Sequence, residues 1–465
     1  MDGAFEPLPR SHVPDIVWPA IPSDDGGRLL ALLYQLGETE RQPADHLRRQ
    51  QLRQAGLLLR HAIATVPAYR ERLAAAGFDP DGEELTEDVW AAIPLLTRAE
   101  LQRLGPALDS TAPPADHGKV YEAATSGSTG RPVVVKKTDH VSLLWHAATV
   151  RHHIWHRRDL ASKLASIRHF RDPAEARPPD GIRAAQWGPS TAMAYDTGPC
   201  VILALRSTID DQVDWLLREQ PDYLLTHPSN MLDIARALDD AGRRIDGLKG
   251  AMTISETLTP AARQEIRERL GVPLSDSYSA QEIGYMALQC PESDGYHVQA
   301  ETVMVEVLDD AGKPCAPGTV GRVVLTPLHN FATPLIRYDI GDYAEVGESC
   351  PCGRTLPVLT RIMGRTRNLL TLPDGSRRWP VVGSYLFTEI APVRQFQLVQ
   401  HSVREIEVRL AVSRPVTDEE EAALTAVVLE KLAHPFDIRF TYHDDIPRSA
   451  SGKYEDFMSL IYAGA

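Results

Sequence analysis

Residues Ala124–Thr138 read ATSGSTGRPVVVKKT, and Thr125, Ser126, Gly127, Ser128, Thr129 and Gly130 are all hydroxyl-bearing or glycine. Glycine lets backbone amides approach an anion closely, and hydroxyls add donors to phosphate oxygens. A phosphate-binding loop and a plain flexible turn both answer to that description. The GxxxxGK[ST] loop is excluded, because no lysine follows Gly130. The surrounding chain has to decide.

At 465 residues the chain is longer than one ordinary core and should divide into two or three domains. A formal charge of −14 argues against nucleic acid and against an anionic membrane surface as partners. The N-terminal MDGAFEPLPRSHVPD has neither the basic nor the apolar region of a signal peptide, and no apolar run approaches a membrane span. Five cysteines do not read as a disulfide framework. The expectation is a cytoplasmic protein.

Residues 1–45 read as an extended arm leading into a first helix, and His46–Phe78 carry helical apolar spacing ended by Gly77. From Tyr121 to Asp342, apolar runs such as CVILAL, DYLLTH and KGAMTIS alternate with helical patterns, which implies βαβ units. Residues 301–346 read as successive strands, and residues beyond about 368 as a compact α+β unit with a helix over Thr417–His434. The predicted class is α/β: a large N-terminal domain of mostly parallel sheets layered with helices, a small β subdomain, and a small mobile α+β C-terminal domain.

Three further stretches carry chemistry. In SDSYSAQEIGYM, Tyr278 can stack on a purine and Glu282 can hold a magnesium ion; a plain strand-to-helix turn is the alternative. In RYDIGDYAEV, Asp342 can accept two ribose hydroxyls or simply sit in a Gly-Asp turn. In IPRSASGKYEDF, Lys453 lies on a glycine- and serine-rich loop, where an exposed lysine is ordinarily solvated.

Together, TSGSTGRP, YSAQEIG, YDIGD, GRTRN and PRSASGK resemble, in order and spacing, the motifs of the adenylate-forming superfamily. VPAYRERLAAAGF, CPCGRTLPVLTRIMGR and LVQHSVREIEVRL are most similar to its phenylacetate–CoA ligase branch. The resemblance runs from about His61 to the end. It implies an adenylation domain over 1–363, a hinge at 364–367 and a lid domain over 368–465 carrying Lys453. It also implies that Thr125–Gly130 wrap the ATP phosphates and that Ser255, Glu256, Thr257 and Ser279 lie along the nucleotide. Tyr278 would pack on adenine, Glu282 hold magnesium, Asp342 bind ribose and Arg365 reach ribose or phosphate. Lys453 would contact the substrate carboxylate and the α-phosphate. The implied reaction converts an acid, aromatic by analogy, to acyl-AMP and passes it to CoA or a carrier-protein phosphopantetheine. Nitrite activation by a diazotase of the same fold, and a non-catalytic adenylate sensor, are the alternatives. An acyl carrier protein and a homodimer are compatible with the sequence. Gln281, Val133 and Asp339-Ile340 depart from the superfamily's common residues without removing a charge the chemistry needs.

Cys290, His297, Cys350 and Cys352 are a candidate Cys₃His structural zinc set, as in some relatives of the resembled branch; four unconnected reduced side chains are the alternative. The run WHAATVRHHIWHRRD places His152 and His156 on one helix face, but with no third ligand it reads as a helix bordering the substrate pocket. Trp187 and His227 are expected in the pocket wall, with core packing an equal reading for Trp187.

Overall fold

The computed structural model describes residues 7–82, 84–124, 133–170, 172–380, 385–448 and 453–461. Among these, a 12-stranded sheet organises the first 365 residues. Its order, edge to edge, is Val303–Leu308, Val320–Pro327, Tyr338–Val346, Val358–Arg365, Tyr296–Val298, Gly284–Gln289, Leu274–Ala280, Gly250–Thr253, Tyr223–Thr226, Leu164–Arg168, Cys200–Ala204 and Ile182–Ala184.

The parallel pairings are confined to the run from Leu274–Ala280 to Cys200–Ala204. There the expected strand–helix alternation is found, with Ile209–Glu219, Pro228–Asp240 and Pro260–Leu270 as crossover helices. The last of these shows why such helices are legible. The Thr259 side chain caps the Ala262 amide, Pro260 sits in the first turn, and Gly271 ends the helix at φ 67°.

The expected β subdomain is not a separate sheet. After Leu274–Ala280 the chain turns through Gly284 (φ 121°) and pairs antiparallel with itself, so the parallel sheet runs directly into the antiparallel half. A tight turn forces antiparallel return, whereas a parallel neighbour needs a crossover of a dozen residues or more. The helical run near the N-terminus also divides, into Ala44–Thr65 and Tyr69–Ala75. Pro67 has no amide to donate and holds Val66 extended, which ends the first helix.

The C-terminal four-stranded sheet has the order Asp437–His443, Glu405–Val412, Val393–Gln400 and Phe457–Ser459. A Thr417/Glu420 capping box starts the helix Asp418–Leu432. Phe387, Phe396, Leu398, Val408 and Leu424 belong to a core separate from those of the large sheet, and the rings of Phe387 and Phe396 stack at 4.4 Å. Among the described residues no helix is long and apolar enough to cross a membrane.

Candidate active site

A cavity of about 830 Å³ opens at the carboxyl ends of the parallel strands. Its wall takes Arg168 and His169 after the strand Leu164–Arg168, His227–Ser229 after Tyr223–Thr226, Ile254–Thr257 after Gly250–Thr253, and Tyr278–Glu282 from the end of Leu274–Ala280. Open α/β sheets present loops and free backbone groups there, which is why ligands bind on that side. Ser255 holds φ at 74°, a left-handed conformation that a serine adopts at some cost and that tends to cluster at functional sites.

One part of the cavity gathers the expected nucleotide residues. Asp342 and Arg365 are direct cross-strand neighbours, with Arg365 Nε 3.5 Å from Asp342 Oδ1. The Tyr278 hydroxyl donates to Asp342 Oδ2 at 2.7 Å. Glu282 is buried, and burial pushes its carboxyl above the usual carboxylate range. Arg98 Nη1 lies 4.0 Å from it, and two Arg98 nitrogens have no hydrogen-bond partner among the described residues. A buried carboxylate lining this cavity fits a hard cation such as magnesium. Ser279 and Thr257 also line the cavity. The expected phosphate-loop residues Thr125–Gly130 lie outside the described residues.

Lys453 reaches the same cavity from the C-terminal unit. Burial, and then the Arg365 charge, pull its ammonium below the usual lysine range, while Asp342, Glu256 and Glu282 act in the opposite direction. Its loop is fastened to the helix Pro228–Asp240 and to the loop that follows Gly250–Thr253. The Tyr454 amide donates to Glu256 Oε1 at 2.7 Å, and Arg448 donates to Ser229 Oγ at 2.5 Å and Asp233 Oδ2 at 3.1 Å. The Arg367 and Asn368 side chains, just past Arg365, donate to Glu455 Oε2 at 2.9 Å each. Glu256, expected beside the nucleotide, thus also anchors the lysine loop, and His227 Nδ1 lies 3.4 Å from its Oε1.

Away from this cluster, Trp145, Thr149, His152, His153, Trp187 and Tyr285 line the cavity. Trp145 and Tyr285 meet at 4.9 Å between ring centroids. Trp187 satisfies both readings given above, since it lines the cavity, is buried, and donates from Nε1 to the Ser162 carbonyl at 2.7 Å.

The four candidate metal ligands converge. The donor atoms of Cys290, His297, Cys350 and Cys352 all lie within 4.8 Å of one another. Cys290 and Cys350 Sγ are 3.7 Å apart, and Cys352 Sγ is 3.3 Å from His297 Nε2. A tetrahedral ion with ~2.3 Å metal–sulfur bonds places two sulfurs about 3.8 Å apart, so the donor set fits zinc.

Arg98 and Arg448 are not among the site residues read from the sequence. Lys137 is buried, 5.5 Å over the Trp145 ring, and burial pulls it down to about 8 against the opposing charge of Glu282. Arg448 stands inside the quoted PRSASGK motif, so its place in that loop was the available signal; Arg98 carries none.

A family model described as the CapK C-terminal domain matches residues 373–459. Phenylacetate-coenzyme A ligase of Thermus thermophilus is 28% identical over 402 residues, covering 83% of this chain and 85% of that protein. The Escherichia coli phenylacetate-coenzyme A ligase is 28% identical over 355 residues, 73% of this chain and 75% of that one. The solved 2-hydroxyisobutyryl-CoA ligase in the postadenylation state, in complex with 2-HIB-AMP, covers 91% of this chain and 92% of its own at 20% identity and TM-score 0.71. Its thioesterfication state, with 2-HIB-AMP and CoA, superposes at TM-score 0.57 with 20% identity and 91% of each chain covered. The chain is thus similar over most of its length to phenylacetate-coenzyme A ligases, and it shares the fold of the solved 2-hydroxyisobutyryl-CoA ligase.

Proposed function

We propose that this protein activates an aromatic carboxylic acid with ATP and transfers the acyl group to CoA. The observation that carries this reading is the convergence of Tyr278, Glu282, Asp342, Arg365 and Lys453 on one cavity, although Lys453 belongs to the unit with a separate core. Trp145, Trp187 and Tyr285 give the acyl part flat apolar walls, which favour a ring.

In the first half-reaction a carboxylate oxygen attacks the α-phosphorus, forming the acyl–phosphate bond and breaking the bond to pyrophosphate. No general base is needed, because the acid is already ionised at neutral pH. Asp342 holds the ribose hydroxyls, Tyr278 packs against the base, and Arg365 and Lys453 offset charge that builds on the phosphoryl oxygens. Glu282 would hold magnesium, which would supply further charge neutralisation at the phosphates. In the second half-reaction the thiol sulfur attacks the acyl carbon, its proton passes to solvent, and AMP leaves. The unit 368–465, turning about 364–367, carries Lys453 in for the first step and out for the second. Cys290, His297, Cys350 and Cys352 would hold a zinc ion, which would supply a structural cross-link and no catalytic chemistry.

ATP–pyrophosphate exchange across aryl, aliphatic and amino-aryl acids plus nitrite tests this reading. Exchange with an aryl acid, lost in Lys453→Ala, is expected. Exchange with nitrite alone, or with no compound despite ATP binding, contradicts it.

A further inference from the structure

One hairpin joins the four candidate metal ligands to the nucleotide end of the cavity. Cys290 directly follows the strand Gly284–Gln289, and His297 lies in its antiparallel partner Tyr296–Val298. The residue before each of these ligands reaches the same aspartate. Gln289 Oε1 accepts the Asp276 amide at 2.7 Å, and the Tyr296 hydroxyl donates to Asp276 Oδ2 at 2.7 Å. Asp276 is 3% exposed, lines the cavity, and stands two residues before Tyr278 on the strand Leu274–Ala280. Its other carboxylate oxygen accepts from Thr253 Oγ1 at 2.7 Å. A carboxylate this buried depends on such donors, because an acceptor left without one carries its full desolvation cost.

The turn of the hairpin, residues 291–295, is held from two sides. On one side Asp294 pairs with Arg267 at 2.8 Å and lies 3.6 Å from Arg263, which donates to the Tyr296 hydroxyl at 2.8 Å. On the other side Cys350 Sγ lies 3.7 Å from Cys290 Sγ, and Cys352 Sγ lies 3.3 Å from His297 Nε2. Thiols are weak hydrogen-bonding groups, so these contacts alone hold little. A tetrahedral ion bound to all four donors would fix both strands of the hairpin at once.

We infer that Tyr296 and Gln289 are positioning residues that couple the Cys₃His site to the nucleotide end of the cavity. Zinc fixes the hairpin, the hairpin holds Asp276, and Asp276 holds the strand that presents Tyr278. This rests on the zinc and adenylation readings above and adds a link between their two sites. Such coupling is reciprocal: nucleotide strengthens zinc binding by the factor that zinc strengthens nucleotide binding.

The test measures that factor without any acid substrate. AMP affinity is taken by calorimetry for zinc-loaded protein and for protein stripped with a chelator, and zinc release is titrated with and without AMP. Stripping should weaken AMP by about fivefold or more, and saturating AMP should raise the chelator concentration for half-release by a similar factor. Tyr296→Phe, which removes only the hydroxyl, should roughly halve the factor, and adding Gln289→Leu should bring it to about one. A side chain that merely supports the fold would lower the melting temperature and leave the factor alone. If the double variant melts before assay, Tyr296→Phe decides. Far-UV circular dichroism follows the stripped protein, since unfolding on stripping would link zinc and AMP equally in wild type and variants. A factor unchanged in the variants therefore overturns the inference. AMP affinity indifferent to zinc, or protein that takes up no zinc, overturns it as well and leaves the ligase reading standing. Wild-type protein that binds neither AMP nor ATP overturns both.

Discussion

Replacing Arg448 by alanine removes the main charged fastening between the Lys453 loop and the helix Pro228–Asp240. Arg448 pairs with Asp233 at 3.1 Å and lies 3.8 Å from Glu256 Oε1, with side chains 22%, 16% and 4% exposed. Burial already raises the Asp233 carboxyl to about 6 with the guanidinium beside it. Without Arg448 that carboxylate must ionise unpaired or take up a proton. A hydrogen bond to a charged group contributes about 1.5–3 kcal/mol, and each ~1.4 kcal/mol is a factor of ten. The state with Lys453 in place should thus lose about ten- to a hundredfold in population relative to the open state. The assay separates the half-reactions: ATP–pyrophosphate exchange for adenylation, and thioester formation from synthetic acyl-AMP plus CoA for transfer. Exchange should fall by up to that factor while transfer is unchanged or faster. Equal loss in both would show that Arg448 supports the fold or the nucleotide site and not closure. No loss in either would show that the fastening does not govern closure.

Three other outcomes follow from the same contacts. Burial, and then the Glu256 charge, raise Asp456 to about 7 in the closed arrangement, with Asp233 and Glu455 adding to this and Arg236 opposing. Since the closed state prefers protonated Asp456, closure weakens as pH rises from ordinary carboxylate values through about 7; Asp456→Asn should flatten that limb of the exchange–pH profile. Purified protein should contain about one zinc per chain by elemental analysis, and Cys350→Ser should lower both that content and the melting temperature. Arg151 is buried and donates to Glu40 at 3.1 Å and Glu301 at 2.9 Å; Arg151→Met should cost about 3–5 kcal/mol in denaturant unfolding, because the half-buried Glu301 loses its cation and the buried Glu40 keeps only Arg354, 3.1 Å away.

What was legible in the sequence depends on the distance over which each role is set. Tyr278, Glu282, Asp342 and Lys453 sit in short stretches whose residue types and order led the sequence to be read as carrying a nucleotide site, and one cavity gathers all of them. The Thr259 cap, Pro260 and Gly271 likewise announce their helix locally. Arg98 reads as an ordinary helix residue until Glu282, far along the chain, comes within 4.0 Å. Arg448 acquires its function only from Ser229 and Asp233, more than two hundred residues earlier. The continuity of the twelve strands was hidden for a related reason. Apolar alternation marks a strand but not its partner, and the pairing of Tyr296–Val298 with Val358–Arg365 joins segments some sixty residues apart. The thiols of Cys350 and Cys352 were visible, yet only folding shows that Cys290 and His297 meet them.

In the proposed mechanism Lys453 serves acyl-adenylate formation and not the later transfer. Single-turnover reactions with α-labelled ATP and a turned-over acid, resolved for acyl-AMP, should show adenylate forming in wild type. In Lys453→Ala that signal should fall by about two or more orders of magnitude, the loss expected when a buried charge facing the transferring phosphoryl is removed. The same variant, given synthetic acyl-AMP and CoA, should form thioester at close to the wild-type rate. Adenylate formation that survives the substitution, or transfer that fails alongside it, would contradict the account.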